Sequence, residues 1–542
     1  MNSISIFRYI LISILFSGLS IAQPELRFDT FDWVQYRQTG KVNSITFGDR
    51  FTYIGTQSGG VMRFNFYSER FEEPITRAQG LHSNTVTAIH RASNSMLWVA
   101  TPMGLEYSIN EEGDWRFIDR EQLGLSLGTY IERIGESEHY IWLDTQGLVY
   151  RLDPLSGILI GVMANPDEAV LWSSGLLRFK PDLSELLIDY SFMDGWMTDL
   201  QNLIRSNGQY VTITTIAKDR FGEIWIGTED GTFFRGDPTM KSMTPFRLSL
   251  TNNDVQDIAG INSFWLGGRQ KQLQSGVTYF DVDREIADNY VFSETINMDQ
   301  TSIYSILEMK NEIWFGGDNA LLVYDKKENY WRTLSLRLGG GKSLVTTMSE
   351  VGDDVWIGST HGITILKKED KKSILSQVET YFDQIYIYDI AVTNNQIWIG
   401  TDTGLFIYDM NKKVIHSPMA YGYKSDDFIF PIKHINFTTF AQDSRKIYAA
   451  NRSGILSFNF RNRKWSNAVD PSIFGGLEIR SMAFHKNILF IATVNGIVQY
   501  DMKNNLMDVL NFSFIGQVND MYIKGRKIWL GTTEGLISYR YR

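Results

Sequence analysis

The side chains that most often carry catalysis are sparse in this sequence of 542 residues. There is no cysteine, which excludes a thiolate nucleophile, a disulfide and Cys-ligated zinc. No G-x-S-x-G nucleophile elbow occurs, and adjacent carboxylates such as Asp353–Asp354 and Asp426–Asp427 fall in polar turns, where we expect solvated charges. No two of the seven histidines have metal-ligand spacing on one helix: His82, His90, His139, His361, His416, His434 and His485. We therefore predict a protein that is not an enzyme and holds no cofactor or metal.

One glycine-rich stretch has some features of a phosphate-binding loop. GGGKS spans 339–343, but the Walker pattern requires glycine at the position of Leu336 and a helix after the loop. The segment that follows, SLVTTM, is strand-like. We expect a flexible connection here and no nucleotide site.

Binding chemistry is better represented, first of all in an insertion. The segment MAYGYKSDDFIFPIKH (419–434) interleaves aromatic with charged residues. Aromatic faces with flanking polar groups suit carbohydrate stacking or a protein contact, and packing on a neighbouring element is the equal alternative. We select Tyr421, Tyr423, Lys433 and His434 as candidate binding residues. The irregular segment around Trp196 has the same two interpretations.

A repeated motif shows which elements must position these residues. Its clearest copies are IWIGTEDGTFFR (224–235), IWIGTDTGLFIYD (397–409) and IWLGTTEGLISY (528–539). The pattern is apolar–Trp–apolar–Gly/Ala–Thr, two variable residues, Gly, and an alternating strand. Twelve aromatic anchors recur about every 43 residues: Tyr53, Trp98, Trp142, Trp172, Trp225, Trp265, Trp314, Trp356, Trp398, Tyr448, Phe490 and Trp529.

Each repeat contains an alternating run, the Trp strand, a T-x-x-G turn, a second alternating strand and often an outer strand. Four short strands in about 43 residues are typical of a β-propeller blade. The sequence therefore predicts an all-β protein of tandem β-propellers with about 12 four-stranded blades. We expect the Trp residues to fill the space between blades, the threonine to bond the turn backbone, and the glycine to adopt positive φ.

The W-I-G-T-x-x-G-L repeat resembles the two-component regulator propeller family, most fully across GLHSNTVTAIHRASNSMLWVATPMGLEY (80–107). The resemblance implies paired propellers like those in the periplasmic part of hybrid sensor histidine kinases, which sense oligosaccharides. Similar propellers occur in accessory proteins of the type IX secretion system, one of which binds envelope polysaccharide. The opening segment, WVQYRQTGKVNSITFGDRFTYIGTQSGGV (33–61), is similar to the start of those secretion-type proteins. No kinase or sorting segment follows the last repeat, so we expect any output to act through partners in trans.

Twelve blades exceed the usual four to eight of one propeller. We favour six and six, with seven and five as the alternative. The predicted domains are a signal peptide at 1–22, propeller 1 at 23–290 and propeller 2 at 291–542. The segment FDWVQYR (31–37) has the pattern of a spare outer strand. If each propeller is contiguous it closes the first blade, and if the first propeller is inserted in the second it closes the last.

Propeller geometry selects one face for binding, because the connections that lead into the inner strands converge on one mouth of the channel. Polar residues in these connections suit a sugar or peptide pocket, although capped turns and water bridges are the commoner use of single residues of this kind. We predict ligand-binding roles for Asn43, His82, Asn84, Asn253, Asp254, Gln300, Asp383, Gln384, Arg480 and Asn519.

The N-terminus predicts export. Arg8 precedes a short apolar run, and Ser20 and Ala22 fit a cleavage site after Ala22. The run is too short to span a bilayer, although an uncleaved anchor is the alternative. Absence of cysteine favours the periplasm or outer surface of a Gram-negative-type bacterium. The net charge of −10 argues against a nucleic-acid partner.

These features predict an exported, non-catalytic double propeller that binds an oligosaccharide, a polysaccharide or an envelope protein. It would serve as a sensor-like or secretion-accessory module, with a separate membrane sensor or secretion component as a possible partner. One alternative is a pure protein–protein scaffold. The other is a propeller lyase or glycosidase, which carboxylates or histidines converging at one mouth would favour.

Overall fold

The computed structural model describes residues 30–109, 113–178, 183–261, 263–269, 275–296, 298, 301–318, 320–335, 343–374, 376–393, 395–424, 436–451, 454–469, 478–494 and 496–541. The predicted signal peptide, Gln300, Lys433 and His434 lie outside these residues. Within them the regular secondary structure is almost entirely β-strand, in antiparallel sheets of the kind the repeat predicts. The prediction of an all-β tandem propeller is confirmed.

The described residues form eleven blade-like sheets, which we number in chain order. Blade 1 has strands Val42–Phe47, Phe51–Thr56, Val61–Asn65 and Arg70–Ile75, and blade 2 has strands Ala88–Arg91, Leu97–Thr101, Gly104–Ser108 and Arg116–Asp119. Blade 3 has strands Arg133–Glu136, Ile141–Asp144, Val149–Leu152 and Leu159–Met163, and blade 4 has strands Ile213–Lys218, Ile224–Thr228, Phe233–Asp237 and Ser242–Phe246. Blade 5 has strands Val255–Ala259, Phe264–Gly268, Gly276–Asp281 and Ile286–Val291, and blade 6 has strands Ile303–Glu308, Glu312–Gly317, Ala320–Asp325 and Tyr330–Ser335. Blade 7 has strands Val345–Val351, Asp354–Ser359 and Gly362–Lys367.

Blade 8 has strands Ile387–Thr393, Gln396–Thr401, Gly404–Asp409 and Val414–His416, and blade 9 has strands Phe437–Gln442, Lys446–Asn451, Gly454–Asn459 and Lys464–Val469. Blade 10 has strands Ile479–His485, Ile488–Thr493, Gly496–Asp501 and Leu506–Leu510. Blade 11 has strands Val518–Lys524, Lys527–Thr532 and Gly535–Arg540, together with Trp33–Tyr36. Short strands lie at Leu171–Trp172, Ser191–Phe192, Met197–Thr198, Leu203–Ile204, Tyr210–Val211 and Tyr423–Lys424. The helical turns are Arg77–Gln79, Ser184–Leu187, Phe292–Thr295, Gln377–Tyr381 and Pro418–Ala420.

The repeat motif folds as its residue types predict. Most of the anchor Trp side chains are buried in apolar clusters between adjacent blades; Trp98, for example, packs with Ile141 and Leu143 of the next blade. In the last blade Thr532 Oγ1 donates to the carbonyl of Gly535 at 2.9 Å, and Gly535 has a φ of 116°. A Cβ at Gly535 would lie 2.2 Å from the carbonyl oxygen of Tyr36, so only glycine fits this turn.

The inner strands of the blades form two rings. Blades 5 to 11 follow one another as neighbours, and the inner strand of blade 11 packs beside that of blade 5, which closes the second ring. In the first ring blades 1, 2 and 3 are successive neighbours, and the inner strand of blade 4 packs beside that of blade 1. Seven blades in the second ring favour the division into seven and five over six and six.

An irregular segment takes the place of a fifth blade in the first ring, between blades 3 and 4. Leu171–Trp172 pairs with the inner strand of blade 3, and the amide of Leu177 donates to the carbonyl of Thr214 in blade 4 at 2.8 Å. Apolar side chains from 177–203, among them Trp196, pack on blade 4. The unit predicted around Trp172 is therefore not a blade, because its sequence lacks the T-x-x-G turn that would return the chain. The irregular segment around Trp196 therefore packs on a neighbouring blade, which is one of the two interpretations given for it above.

The spare N-terminal strand completes the last blade. Trp33–Tyr36 pairs antiparallel with Gly535–Arg540, with Trp33 opposite Tyr539. This is the pairing expected when the first propeller is inserted within the second. The predicted domain boundary at residue 290 stays a prediction, and the ring neighbours favour one between Phe246 and Val255.

Candidate ligand site at the channel mouth of the second ring

Tyrosines gather where the inner strands of the second ring begin. Tyr304 lies in blade 6, Tyr386 directly precedes blade 8, and Tyr388 lies in that strand. All three are half-buried. The rings of Tyr386 and Tyr388 have centroids 4.5 Å apart, Asn436 Nδ2 donates to the Tyr388 hydroxyl at 3.1 Å, and the guanidinium of Arg269 lies 5.9 Å from the centroid of Tyr304.

An arginine held by amides lies beside the tyrosines. Arg480 Nη1 donates to Asn519 Oδ1 at 3.5 Å, and the Gln517 amide, oriented with its oxygen towards Arg480, accepts from Nη1 at 2.6 Å and from Nε at 3.2 Å. Asn519 Nδ2 in turn donates to the carbonyl of Val255 at 2.8 Å and to Asp254 Oδ1 at 3.2 Å. Blades 10, 11 and 5 are thus connected by one polar network at the mouth.

Burial, together with the neighbouring charges, keeps Tyr386 neutral. Burial raises the pKa of Tyr386, the nearby Tyr388 and the carboxylate of Glu478 raise it further, and the positive charge of Arg480 opposes them. The phenol of Tyr386 therefore keeps its proton at neutral pH and can donate a hydrogen bond. Phenols, amides and a guanidinium around aromatic faces offer donors to hydroxyl oxygens and apolar surface to C–H groups.

Three carboxyl groups lie deeper in the same channel. Asp257, Asp389 and Asp520 occupy the same position after a β-bulge in the inner strands of blades 5, 8 and 11. Each accepts from a backbone amide of the neighbouring blade: Asp257 from Ile306, Asp389 from Phe440 at 2.9 Å, and Asp520 from Ile258 at 3.1 Å. The bulge turns these side chains sideways, and they connect inner strands.

These carboxyls are protonated more readily than free ones. Burial raises the pKa of Asp389 to about 6. Burial also raises the pKa of Asp257 and of Asp520, and the charge of Asp520 raises that of Asp257 further. The amide of Ile258 contacts both, at 2.9 Å for Asp257 Oδ1 and 3.1 Å for Asp520 Oδ2, so the two carboxyls are close enough to share a proton.

The residues that sequence reasoning selected as ligand-binding divide between the mouth and structural roles. Arg480, Asn519 and Asp254 meet at the mouth of the second ring. Asn43 Nδ2 donates to the carbonyl of Val86, and the buried Asn84 accepts from the amide of Arg77 and donates to Gln35, so both hold the backbone. These bonds favour the capped-turn interpretation for the two asparagines.

The other predicted residues do not join the network around Arg480. His82 contacts Glu106 at 3.2 Å and stacks on Phe117 with centroids 3.8 Å apart. Asp383 and Gln384 are exposed in the connection that precedes Tyr386. Asn253 Oδ1 accepts from the amide of Gln38 at 2.7 Å, at the junction of the rings.

The insertion at 419–434 is described only in its first part. The ring of Tyr421 is buried beside Trp398 and Trp465, its hydroxyl accepts from Gln396, and its carbonyl accepts from Trp465 Nε1 at 2.7 Å. Its burial favours the packing alternative. Tyr423 pairs by its backbone with Lys464. The remaining ligand candidates of the insertion lie outside the described residues.

Sequence reasoning missed the tyrosines of the mouth. It looked for polar residues in the connections, whereas Tyr386 and Tyr388 stand at and just before the start of an inner strand. The available signal was alternation: in QIYIYDI the isoleucines 385, 387 and 390 are apolar partners of core clusters, so Tyr386 and Tyr388 point away from that core.

Metal-ligating side chains do not form a cluster in the described ranges. No three His, Asp or Glu side chains among these residues are placed to hold a metal ion. His90 Nδ1 lies 2.7 Å from Ser173 Oγ, but His90 Nε2 is enclosed and has no hydrogen-bond partner in the described part of the chain. Burial lowers the pKa of His90 to about 4, which keeps the imidazole neutral. None of the helices described has the length and hydrophobicity needed to cross a bilayer.

Comparison with known proteins connects the repeat to a family. The family model described as "Two component regulator propeller" matches residues 207–230, which end in the second strand and turn of blade 4. This match confirms the resemblance recognised in the repeat. No curated protein matches the chain.

Several solved structures resemble the chain at low sequence identity. The extracellular domain of the putative one component system BT4673 from B. thetaiotaomicron is 15% identical, with a TM-score of 0.42 over 92% of this chain and 71% of that one. PorZ, a surface component of the type-IX secretion system of Porphyromonas gingivalis, is 11% identical, with a TM-score of 0.43 over 92% and 73%. The extracellular domain of the putative hybrid two component system BT3049 from B. thetaiotaomicron is 16% identical, with a TM-score of 0.30 over 94% and 70%.

Proposed function

We propose that the protein is an exported, non-catalytic double propeller whose second ring binds an oligosaccharide at its channel mouth. The observation that carries this proposal is the group of half-buried tyrosines, Tyr304, Tyr386 and Tyr388, beside the amide-held guanidinium of Arg480. Pyranose rings present C–H faces that suit aromatic surfaces and hydroxyls that suit amide and guanidinium donors.

The mouth is organised before any ligand binds. Arg480 is oriented by Gln517 and Asn519, and Tyr388 by Asn436, so these side chains lose little conformational freedom on binding. Preorganisation of this kind lowers the entropic cost of association. Binding would be relayed through partners in trans, as a sensor-like or secretion-accessory module of the periplasm or outer surface.

The direct test is a binding titration. Residues 23–542 are purified and titrated by calorimetry with neutral and acidic envelope oligosaccharides, for wild type and for Tyr386→Ala, Arg480→Gln and the exposed control Tyr330→Ala. A stacking aromatic at the centre of a site contributes enough that Tyr386→Ala should weaken binding about tenfold. The control should bind as wild type does. Saccharide binding that Tyr386→Ala and Arg480→Gln leave unchanged would exclude this mouth as the site.

Two other outcomes point to the alternative functions. If no saccharide binds but a photo-crosslinker at position 386 captures one defined envelope protein in native cells, the mouth is a protein–protein contact. If a bound polysaccharide is cleaved and Asp257→Asn abolishes the turnover, the carboxyls of the channel are catalytic. These carboxylates accept hydrogen bonds from backbone amides, which argues against a catalytic role for them.

A further inference from the structure

A cleft of about 900 Å³ lies at the channel mouth of the first ring, next to the connections between the two rings. The T-x-x-G turns of blades 1 and 4 supply Gln57 and Asp230 to its wall. Lys41 comes from the connection into blade 1, and Arg247 and Asn253 come from the connection between blades 4 and 5. A ligand in this cleft would contact both connections.

Arg247 is a half-buried cation that makes no direct contact with a carboxylate among the described residues. Its Nε is inaccessible to solvent and has no hydrogen-bond acceptor among the described residues, and no carboxylate of those residues lies within ion-pair distance. Burial lowers the pKa of Arg247 and the charge of Arg205 lowers it further, whereas the charges of Asp230 and Glu294, which form no ion pair with Arg247, raise it. An arginine remains charged in proteins, so an unpaired one in a cleft is costly to the free protein.

The nearby carboxylates are already used by other groups. Asp230 accepts from the hydroxyls of Thr228 and Thr232 and from Arg205. Arg205 also lies 3.3 Å from Glu294 Oε1. Burial alone would raise the pKa of Asp230, but the charges of Arg247 and Arg205 and the Thr228 hydrogen bond lower it to about 2, so it is a fixed anion. Asp230 therefore partly balances the charge of Arg247, but it forms no ion pair with Arg247, and the guanidinium keeps its hydrogen-bond donors for a ligand.

The rest of the wall is mostly polar and uncharged, apart from Lys41 and Glu229. Asn253 uses its Oδ1 for the amide of Gln38, and its Nδ2 has no partner among the residues described. Gln57 and the exposed Tyr210 add an amide and an aromatic face. Lys41 is exposed at the rim and supplies a second cation. Amides beside a guanidinium suit a molecule that carries hydroxyls as well as an oxyanion.

We propose that this cleft binds a small polyhydroxylated anion, a uronic acid or a sugar phosphate, with its oxyanion on Arg247. The site is separate from the mouth of the second ring and does not depend on the function proposed for that mouth. Guanidinium pairs well with both carboxylate and phosphate, so the two sources share one recognition chemistry.

Calorimetry of the full chain with four probes tests the proposal: glucuronate, glucose 6-phosphate, inorganic phosphate and glucose. We expect one of the two anionic sugars to bind at least tenfold more tightly than glucose, which lacks the anion, and than phosphate, which lacks the hydroxyls. The preferred sugar identifies the carboxylate or the phosphate as the source. Equal affinity for inorganic phosphate would overturn the sugar component, and no binding of either sugar would overturn the site.

Variants locate the site. Arg247→Met should bind the anionic sugar at least tenfold more weakly than wild type, and Arg247→Lys should be weakened less. Arg284 is an exposed arginine of blade 5, so the control variant Arg284→Met should bind as wild type does. Tyr386→Ala should leave this binding unchanged. Loss of binding in Tyr386→Ala but not in Arg247→Met would place the sugar at the second ring and overturn the inference.

Discussion

At the scale of single residues, the closure of the second ring depends on Asp257. It accepts from the amides of Ile306 and Ile258 and lies against Asp520. Asp257→Ala leaves the amide of Ile306 enclosed without an acceptor, so we expect the free energy of unfolding to fall by about 1–3 kcal/mol. Asp257→Asn can accept from Ile306 through Oδ1 and donate to Asp520 through Nδ2, so it should be as stable as wild type at pH 7.

Urea unfolding of both variants measures this difference. Asp508→Ala, on the exposed outer strand of blade 10, is the control and should unfold as wild type does. If Asp257→Asn were as damaging as Asp257→Ala, the carboxyl would have a role other than the amide contacts described here.

Residue types predicted the core better than the site. The Trp, Thr and Gly of each repeat have one structural role, set by a turn and by the space between blades, so the motif alone identified them. A polar residue in a connection has several possible partners. Asn84 and Asn519 look alike in the sequence, yet one caps a turn and the other orients an arginine, because that depends on which strands from distant repeats are neighbours.

At the scale of elements, the N-terminal strand fastens the last blade. Trp33 stacks on Tyr539 with centroids 4.0 Å apart and meets Phe512 and Phe514 edge-on at 5.7 and 5.6 Å. Gln35 is buried and donates to the carbonyls of Phe514 and Glu534. An outer strand supplied from the other end of the chain removes an exposed sheet edge and closes the ring.

Loss of this packing should open the last blade. We expect Trp33→Ala to lower the free energy of unfolding by about 3–5 kcal/mol, as for other large buried aromatics, and amide exchange in Gly535–Arg540 to rise before that in blade 7. Phe221→Ala, whose ring is exposed, should change neither quantity. Hydrogen exchange with mass spectrometry separates the two regions, and uniform exchange across both would contradict a local fastening role.

The elements were predictable where the repeat is strong and not where it decays. The period indicated an outer strand at 31–37 without a blade of its own, and the structure gives it to blade 11. The weak copy at Trp172 was counted as a blade because the spacing required a unit there. The spacing of the repeats indicates that a unit lies between blades 3 and 4. Only side-chain packing decides that this unit is an irregular segment and not a blade.

At the scale of the whole molecule, two connections cross between the rings side by side. The amide of Leu250 donates to the carbonyl of Arg37, and the amide of Thr39 donates to Ser249 Oγ at 3.1 Å. One apolar cluster runs through the junction, from Val42 and Phe64 of the first ring to Phe264 of the second. The arrangement follows from inserting one propeller in the other, and no local sequence pattern records it.

Glu285 makes this junction sensitive to pH. Its Oε1 accepts from the Tyr36 hydroxyl at 3.1 Å, and its Oε2 is enclosed without a partner in the described part of the chain. Burial raises its pKa to about 7, the charge of Glu73 on the first ring adds to this, and Tyr36, Lys527 and Arg63 oppose it. A raised carboxyl pKa means that the folded state prefers the protonated form. Its stabilisation is complete below the pKa of an unfolded glutamate and is lost as pH rises towards and through about 7.

Glu285→Gln should therefore remove one contribution to the pH dependence of the free energy of unfolding. Gln keeps an acceptor for Tyr36 and cannot ionise, so at pH 8 the variant should be more stable than wild type by up to about 3 kcal/mol, and at pH 5 the two should differ little. The difference between the two proteins, measured by urea unfolding from pH 5 to pH 8, cancels the titration of other groups. Glu328→Gln, in an exposed turn of blade 6, should follow wild type throughout. A wild-type-to-variant difference that stays constant over this range would show that Glu285 is already ionised in the folded protein and that burial at the junction of the rings does not hold its proton.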